Sequence, residues 1–518
     1  MPARQGTCRI CCRGIYSCRW TRQTNVNLSR QRFASCEFST VVLVALLAAG
    51  WLYVCMMTFN DRDDINDTAF KCLKRWVNWF VVVVALSAAF AIYCCLLLVF
   101  ALFQVAIREP LDLHHIHKVF LALGFLFIAC GLVGISLKWD GEWYIVYLSL
   151  MATGPFLQLG AVVALTLLCS FVFQRFFRAK RTASKTVIMI AFVVMTATVF
   201  LCPLFIKSPC LLEMLPAKPA LIGHRGAPML APENTMMSFN RSAECGVVTF
   251  ETDVLISKDG VPFLMHDKSL QRTTNVLQRF SERADNESSS FTWTELQELN
   301  AGKWFLQRNP YQTVSSLSER EQETAGNQSI PSLADLLKLA KDINVSIIFD
   351  MKDERNDSND ILYVVRTIND SGIPHQQVLW LPPFHRAWVP WDFQQVYSNV
   401  SEMERNGGSF LNVKYNALPL ENITDLGKRN VTVNLWVVNE PWLFSLLWCA
   451  GAGSVTTNAC HNFQKMEQPV WHMTPSTYRI IWISVDVASL VIMLIVFYLQ
   501  RRTRERIFCP GEKSAPLL

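Results

Sequence analysis

LIGHRGAPMLAPENTMMSF, residues 221–239, holds the pattern from which the rest of the chain is read. Ala220–Gly223 is a short apolar strand candidate that stops at a histidine and an arginine, His224-Arg225. Pro232-Glu233-Asn234 reads as a helix start, with proline and an acid in the first turn, and predicts a helix over Glu233–Glu244. A strand, a polar junction and a helix make one unit of an alternating β/α fold.

The pattern repeats. Further strand candidates are Val247–Val254, Val261–His266, Val345–Lys352, Gln377–Leu381, Phe410–Tyr415, Val431–Val438 and Ser454–Thr457. Ser332–Asp342 is a clear second helix. The segment 268–330 reads as a polar insertion, with helix around Trp293–Leu299. Strands alternating with helices argue for a parallel sheet, and eight of them for a closed (β/α)8 TIM barrel. Residues 207–477 are close to the roughly 250 that such a barrel takes.

Outside that region the chain is apolar. Runs at 38–59, 79–103, 119–137, 151–173, 186–206 and 480–499 approach the roughly 20 residues that cross a bilayer. Arg4, Arg9, Arg13, Arg19, Arg22, Arg30 and Arg32 precede the first run. Arg175, Arg178, Lys180, Arg181 and Lys185 follow the fourth, and Arg501, Arg502 and Arg504 follow the sixth. Positive charge favours the cytosol, and six crossings put all three clusters on one side.

The expected plan is therefore six transmembrane helices plus an extracellular barrel at the plasma membrane. It comprises a cytosolic segment 1–37, five spans within 38–206, the barrel at 207–477, a sixth span at 480–499 and a cytosolic tail at 500–518. Asn66, Asn240, Asn286, Asn327, Asn344, Asn356, Asn369, Asn399, Asn422 and Asn430 open N-x-S/T triplets, which external segments would carry as N-linked glycans. Asn27-Leu28-Ser29 lies on the cytosolic side and should be silent. The net charge of +6 is modest and its basic residues cluster beside the apolar runs, which argues for topology and against nucleic-acid binding.

Barrel enzymes carry their chemistry at the C-terminal ends of strands. Those ends hold His224 and Arg225, Glu251 and Asp253, His266 and Asp267, Asp350 and Lys352, and Asn439. Glu251 and Asp253 are two apart on a strand and so share a face. With Asp350 they suit a hard divalent cation, Ca2+ first in calcium-rich extracellular fluid and Mg2+ second. Solvated or salt-bridged carboxylates are the plain alternative. Histidine is the side chain whose charge changes nearest neutral pH, so His224 and His266 suit acid–base work. Arg225 and Lys352 offer positive charge to a phosphate. As a set, these residues read as a phosphodiesterase.

HRG at 224–226, PENT at 232–235, ETDV at 251–254, MHD at 265–267, RTTN at 272–275, LNAG at 299–302, FDMK at 349–352 and LWVVN at 435–439 resemble the glycerophosphodiester phosphodiesterase family. GIYSCRW at 14–20, LHHIHK at 113–118, TGPFLQLGA at 153–161 and PWLFSLLWCAG at 441–451 resemble its six-transmembrane subgroup. The resemblance implies catalytic roles for His224 and His266 and metal binding by Glu251 and Asp253, with His266 a metal ligand in some accounts. Asp350 stands where many members have Glu, and Thr457-Asn458 where many have Thr-Asp. It further implies glycerophosphoinositol or glycosylphosphatidylinositol-type substrates, with a vicinal hydroxyl attacking phosphorus to give a cyclic phosphate.

Two other functions compete. One is a catalytically weak signalling or adhesion protein using the barrel as a binding module. The other is a transporter, against which stands the lack of an evident charge relay in the spans. Cys8, Cys11, Cys12 and Cys18 suit juxtamembrane palmitoylation better than zinc. His114, His115 and His117 read as a solvated loop. Cys210, Cys245, Cys449 and Cys460 would face an oxidising compartment, so disulfides are expected, Cys210–Cys449 being one guess.

Overall fold

The computed structural model describes residues 14–18, 28–73, 75–106, 111–139, 141–352, 358–383, 386–470 and 472–508. Cys8, Cys11 and Cys12, the sequons at Asn27 and Asn356, most of the basic leader and the end of the tail lie outside the described residues. The chain divides into two compact units, Met1–Tyr147 with Phe305–Ser318, and Leu148–Trp304 with Glu319–Leu518.

Among the described residues, six helices are long and apolar enough to cross a membrane: Cys36–Leu73, Trp79–Gln104, His115–Lys138, Glu142–Arg178, Thr182–Leu204 and Pro475–Glu505. Each contains or overlaps one of the expected runs. In the first unit, spans one to three pack through buried Trp51, Cys94, Leu97, Leu121 and Ile128, and Trp51 Nε1 donates to Ser87 Oγ at 2.9 Å. His114 and His117 are structural there. The His114 side chain caps the third span by accepting from the Ile116 amide. His117 bonds the Tyr93 hydroxyl at 2.7 Å and the Ile15 carbonyl at 2.8 Å.

The second unit joins spans four to six to the barrel. Its parallel strands are β1 (Ala220–His224), β2 (Thr249–Ile256), β4 (Ser346–Met351), β5 (Val378–Trp380), β6 (Gln394–Gln395), β7 (Phe410–Lys414), β8 (Thr432–Trp436) and β9 (Ser454–Thr457). They run in the order β6-β5-β4-β2-β1-β9-β8-β7. Tyr397 nearly closes the ring, its amide donating to the Phe410 carbonyl and its carbonyl accepting from the Asn412 amide.

Two expectations are corrected. The candidate at 261–266 is not a barrel strand: β3 (Pro262–Leu264) pairs antiparallel with β2 and lies off the barrel path. Its place in the ring goes to β6, which the sequence concealed because two glutamines show no apolar alternation. The expected helix at 233–244 starts later, at Met236, because Asn234 takes a φ of +53° and Thr235 is the cap, its hydroxyl accepting from the Ser238 amide. The helix Leu333–Asp342 forms as expected, with a Ser332–Asp335 capping box.

The insertion carries its own core of Leu270, Val276, Phe291, Leu296 and Ile330 against Phe263. The apolar helix Pro441–Cys449 is buried from Leu443 onward, beneath chain that enters from the fifth span and leaves for the sixth. The Trp448 indole donates to the Pro216 carbonyl, Met473 pairs with Cys210 and Leu211, and Cys210 is disulfide-bonded to Cys449. A second disulfide joins Cys245 to Cys460.

Candidate active site

The site sits at the C-terminal ends of β1, β2, β4 and β9. β1 ends in His224, and the chain then turns through left-handed φ angles of +54° at Arg225 and +86° at Gly226. A Cβ on Gly226 would lie 2.6 Å from the Ser238 carbonyl carbon, so only glycine fits. The turn is held by the Arg225 amide, which donates to Glu251 Oε2 at 2.9 Å.

β2 presents Glu251 and Asp253 on one face, and its register sets Asp253 opposite Asp350 on β4. β2 then runs on past the mouth, and the antiparallel β3 carries the chain back. The Met265 amide donates to the Asp253 carbonyl, which brings His266 to the site.

Around these residues runs a chain of alternating charge. Arg272 grips Asp267 with Nε at 2.6 Å and both Glu233 oxygens with its terminal nitrogens at 2.9 and 2.7 Å. Glu233 also accepts from Arg225 at 3.1 Å. Arg225 Nε lies 3.2 Å from Asp253, and Lys352 Nζ lies 3.1 Å from Asp253 and 2.6 Å from Asp350. Asn234 donates to Asp253 at 2.9 Å and accepts from Thr252 at 2.9 Å. Arg225 and Lys352 are therefore both in contact with site carboxylates.

The two histidines have different backing. His224 Nδ1 lies 2.6 Å from Asn458 Oδ1, and Asn458 is fixed in turn by its amide, which donates to Asn439 Oδ1 at 2.9 Å. An amide oxygen only accepts, so Nδ1 carries the hydrogen and Nε2 keeps its lone pair. His224 Nε2 lies 4.0 Å from Glu251 Oε2. His266 Nδ1 instead meets a carboxylate, Asp267 Oδ1, at 2.7 Å.

Charge follows from these contacts. Burial, and then the Arg225 charge, push His224 down to about 3, so its imidazole is neutral. Burial, and then the charge of Asp253, push Glu251 up to about 8. Burial also opposes the ionisation of Asp253, but the nearby cations, Arg225 foremost, outweigh it and hold that carboxyl well below the usual range. Glu233 is held at about 2, burial being outweighed by Arg272 and Arg225. Lys352 is raised because Asp253 and Asp350 outweigh its burial.

Glu251 and Asp253 fit a hard divalent cation. Their carboxylate oxygens are the hard donors such an ion takes, and although Asp253 Oδ1 already ion-pairs with Lys352 Nζ at 3.1 Å, the Glu251–Asp253 repulsion that raises Glu251 would be relieved by a positive ion. Asp350 turns to Lys352, and among the described residues no three His, Cys, Asp or Glu side chains converge as a ligand set. The structure thus brings His224, Arg225, Glu251, Asp253 and Lys352 together. His266 sits beside them through Asp253, and Asp350 is at the rim with its side chain 42% exposed. Sequence reasoning missed the contact of Asn458 with His224 and the bracing role of Glu233, Asp267 and Arg272. Adjacency in HRG, PENT, MHD and RTTN was the available signal for the bracing residues.

Residues 224–377 match the Glycerophosphoryl diester phosphodiesterase family. The chain is 41% identical to Glycerophosphoinositol inositolphosphodiesterase GDPD2 of Homo sapiens, over 100% of this chain and 98% of that protein. It is 39% identical to Glycerophosphodiester phosphodiesterase domain-containing protein 5 of Gallus gallus, over 95% of this chain and 84% of that one. A phosphodiesterase of Oleispira antarctica, solved with the product sn-glycerol-3-phosphate, superposes with a TM-score of 0.40 at 21% identity, over 48% of this chain and 95% of its own. The chain belongs to the glycerophosphodiester phosphodiesterase family of enzymes.

Proposed function

We propose that this phosphodiesterase is divalent-metal-dependent, with Ca2+ favoured over Mg2+, and works at the outer surface of the plasma membrane. Its substrates are glycerophosphodiesters, glycerophosphoinositol foremost, or the phosphoinositol headgroups of glycosylphosphatidylinositol and lysophosphoinositide-type lipids. The unequal backing of the two histidines carries the reading. His224 is neutral and bonded to an amide oxygen, as a general base should be, while His266 is bonded to a carboxylate.

His224 Nε2 takes the proton of a hydroxyl vicinal to the phosphoester. That oxygen forms a bond to phosphorus while the bond to the leaving oxygen breaks, and His266 returns a proton to the leaving oxygen. The products are a cyclic phosphate and an alcohol, and water opens the ring with the two roles reversed. Proximity of a vicinal hydroxyl makes its attack favourable. Lys352 and Arg225 orient the phosphate, and Asp267 and Asn458 hold the imidazole rings. Divalent-metal dependence is general to the family; a cation on Glu251 and Asp253 would neutralise charge developing on the phosphoryl oxygens.

The glycerophosphoinositol substrate is supported by the printed name of the human relative. The outer location is supported by three basic clusters on one side of six apolar helices. It is also supported by the exposure of the described barrel sequons Asn240, Asn286, Asn327, Asn344, Asn369, Asn399, Asn422 and Asn430. The test is hydrolysis of glycerophosphoinositol added to intact cells, with and without chelator, for wild type and Glu251→Ala. Chelator-sensitive activity lost in the variant is expected. Activity that requires cell lysis would refute the location, and its absence across several glycerophosphodiesters would favour a binding module.

A further inference from the structure

We propose that the basic ends of the fourth, fifth and sixth spans form one binding surface for a membrane lipid headgroup that carries monoester phosphates. The fourth span ends at Arg178 and the fifth begins at Thr182, so Arg175, Arg178, Lys180, Arg181 and Lys185 crowd one end of that helix pair. The sixth span is stitched to the same end. Gln500 Nε2 donates to both the carbonyl and the hydroxyl of Ser170 at 3.0 Å. The Phe497 ring lies 5.2 Å from both Phe173 and Phe177. Arg501 and Arg502 follow directly, so the tail of the last span is held beside the connection between the fourth and fifth.

The charge is one-sided. Between 170 and 185 there is no acid, and between 497 and 505 Glu505 stands against Arg501, Arg502 and Arg504. Arg501 pairs with Glu505 at 2.9 Å, and Arg502 lies 5.2 Å over the Tyr498 ring. Arg175, Arg178, Lys180 and Arg181 are exposed and form no ion pair within the described residues. Positive charge beside spans is expected from topology alone. Topology does not require the end of the sixth span to be held against the end of the fourth, as Gln500 and Phe497 hold it. That convergence gathers guanidinium forks from two elements around span ends joined through Phe173, Phe177 and Phe497. A fork matches phosphate oxygens in pairs. A monoester phosphate brings nearly two charges and three acceptor oxygens, whereas a diester headgroup brings one charge. Basic pockets between spans bind phosphorylated headgroups on this physical ground. Only the choice of leaflet, the cytosolic one, rests on the topology proposed above.

The test uses the full chain in nanodiscs of neutral lipid, titrated with short-chain phosphatidylinositol bisphosphate and, at matched lipid charge, short-chain phosphatidylserine. Saturable binding of the bisphosphate lipid in preference to the serine lipid is expected. Arg178→Gln with Arg181→Gln, and separately Arg501→Gln with Arg502→Gln, should each weaken it by about 25-fold, roughly fivefold per charge. Hydrolysis of a water-soluble glycerophosphodiester should stay at the wild-type rate in both pairs, which also reports that they fold. Equal affinity for the two lipids at matched charge would overturn the proposal, and so would full binding in the tail pair. Loss of the expected binding with hydrolysis intact defeats this surface alone. Expected binding without any hydrolysis defeats the enzymatic reading alone.

Discussion

His224 and Asn458, 234 residues apart in sequence, meet through Nδ1 and Oδ1 at 2.6 Å. The contact sets where the imidazole carries its hydrogen and therefore which nitrogen can act as a base. Asn458 stands on the loop after β9, between Thr457 and the disulfide-bonded Cys460, so the barrel's last strand controls the first strand's histidine.

Asn458→Leu removes the acceptor and leaves Nδ1 unsatisfied. Its kcat should fall by about 10²-fold with little change in KM, in proportion to the loss of one positioned base. Asn458→Asp keeps an acceptor but adds a negative charge, which favours the imidazolium and raises the value of His224. A base must be neutral, so the acid limb of kcat/KM should move to higher pH in this variant. An unchanged pH profile would separate Asn458 from His224.

Glu233, at 7% exposure, lies between buried Arg272 and half-buried Arg225. Glu233→Gln leaves both short of a countercharge and should cost about 3–5 kcal/mol in a denaturant titration. The sign of the pH effect follows from its depressed value of about 2 against an ordinary 4.5. The stabilisation is complete above the unfolded value and is lost as pH falls through the folded one. Wild-type stability should therefore drop by on the order of 3 kcal/mol between about pH 4.5 and pH 2. The variant should lack this component, as acid titrations of the two proteins would record.

Ca2+ or Mg2+ should raise the melting temperature of the wild-type chain, because a ligand that binds only the folded state stabilises it by about 2.7 kcal/mol at one hundred times its Kd. Glu251→Gln and Asp253→Asn remove the ligand charges, and their melting temperatures should not respond. An equal response in either variant would place the metal elsewhere.

Asn66 is buried and bonded at both ends of its side-chain amide, donating to Asn78 Oδ1 at 2.9 Å and accepting from the Phe80 amide at 3.0 Å. Asn66→Gln should leave the mass removed by deglycosylation unchanged. Asn286→Gln or Asn422→Gln, at exposed sequons, should each reduce it by one glycan.

Much of the fold and of the site is legible in the sequence. The strands that carry His224, Glu251, Asp253 and Asp350 are short, largely apolar runs with polar residues toward their C-terminal ends, which sequence records directly. The spans follow from uninterrupted apolar length. β6 was hidden because Gln394-Gln395 carries no pattern and is a strand only through its neighbours. His266 was assigned to a barrel strand, yet it reaches the site through a hairpin whose antiparallel sense no local signal gives. Asn458 reads as a lost charge, because only the pairing of β1 with β9 shows that it faces His224. The pairing of Arg225 and Lys352 with carboxylates was equally invisible, since spacing shows which residues share a mouth but not which of them neutralise each other.

The division of labour between the histidines has a direct test in the leaving group. A general acid is needed for an alcohol leaving group and dispensable for p-nitrophenolate, whereas the base is needed for both. Rates of His224→Ala and His266→Ala should be compared on glycerophosphoinositol and on a glycerol p-nitrophenyl phosphodiester. The account predicts that both variants lose about 10²–10⁴-fold on glycerophosphoinositol and that only His266→Ala recovers on the activated ester. Recovery of His224→Ala instead would reverse the assignment, and full activity of either variant on glycerophosphoinositol would contradict it.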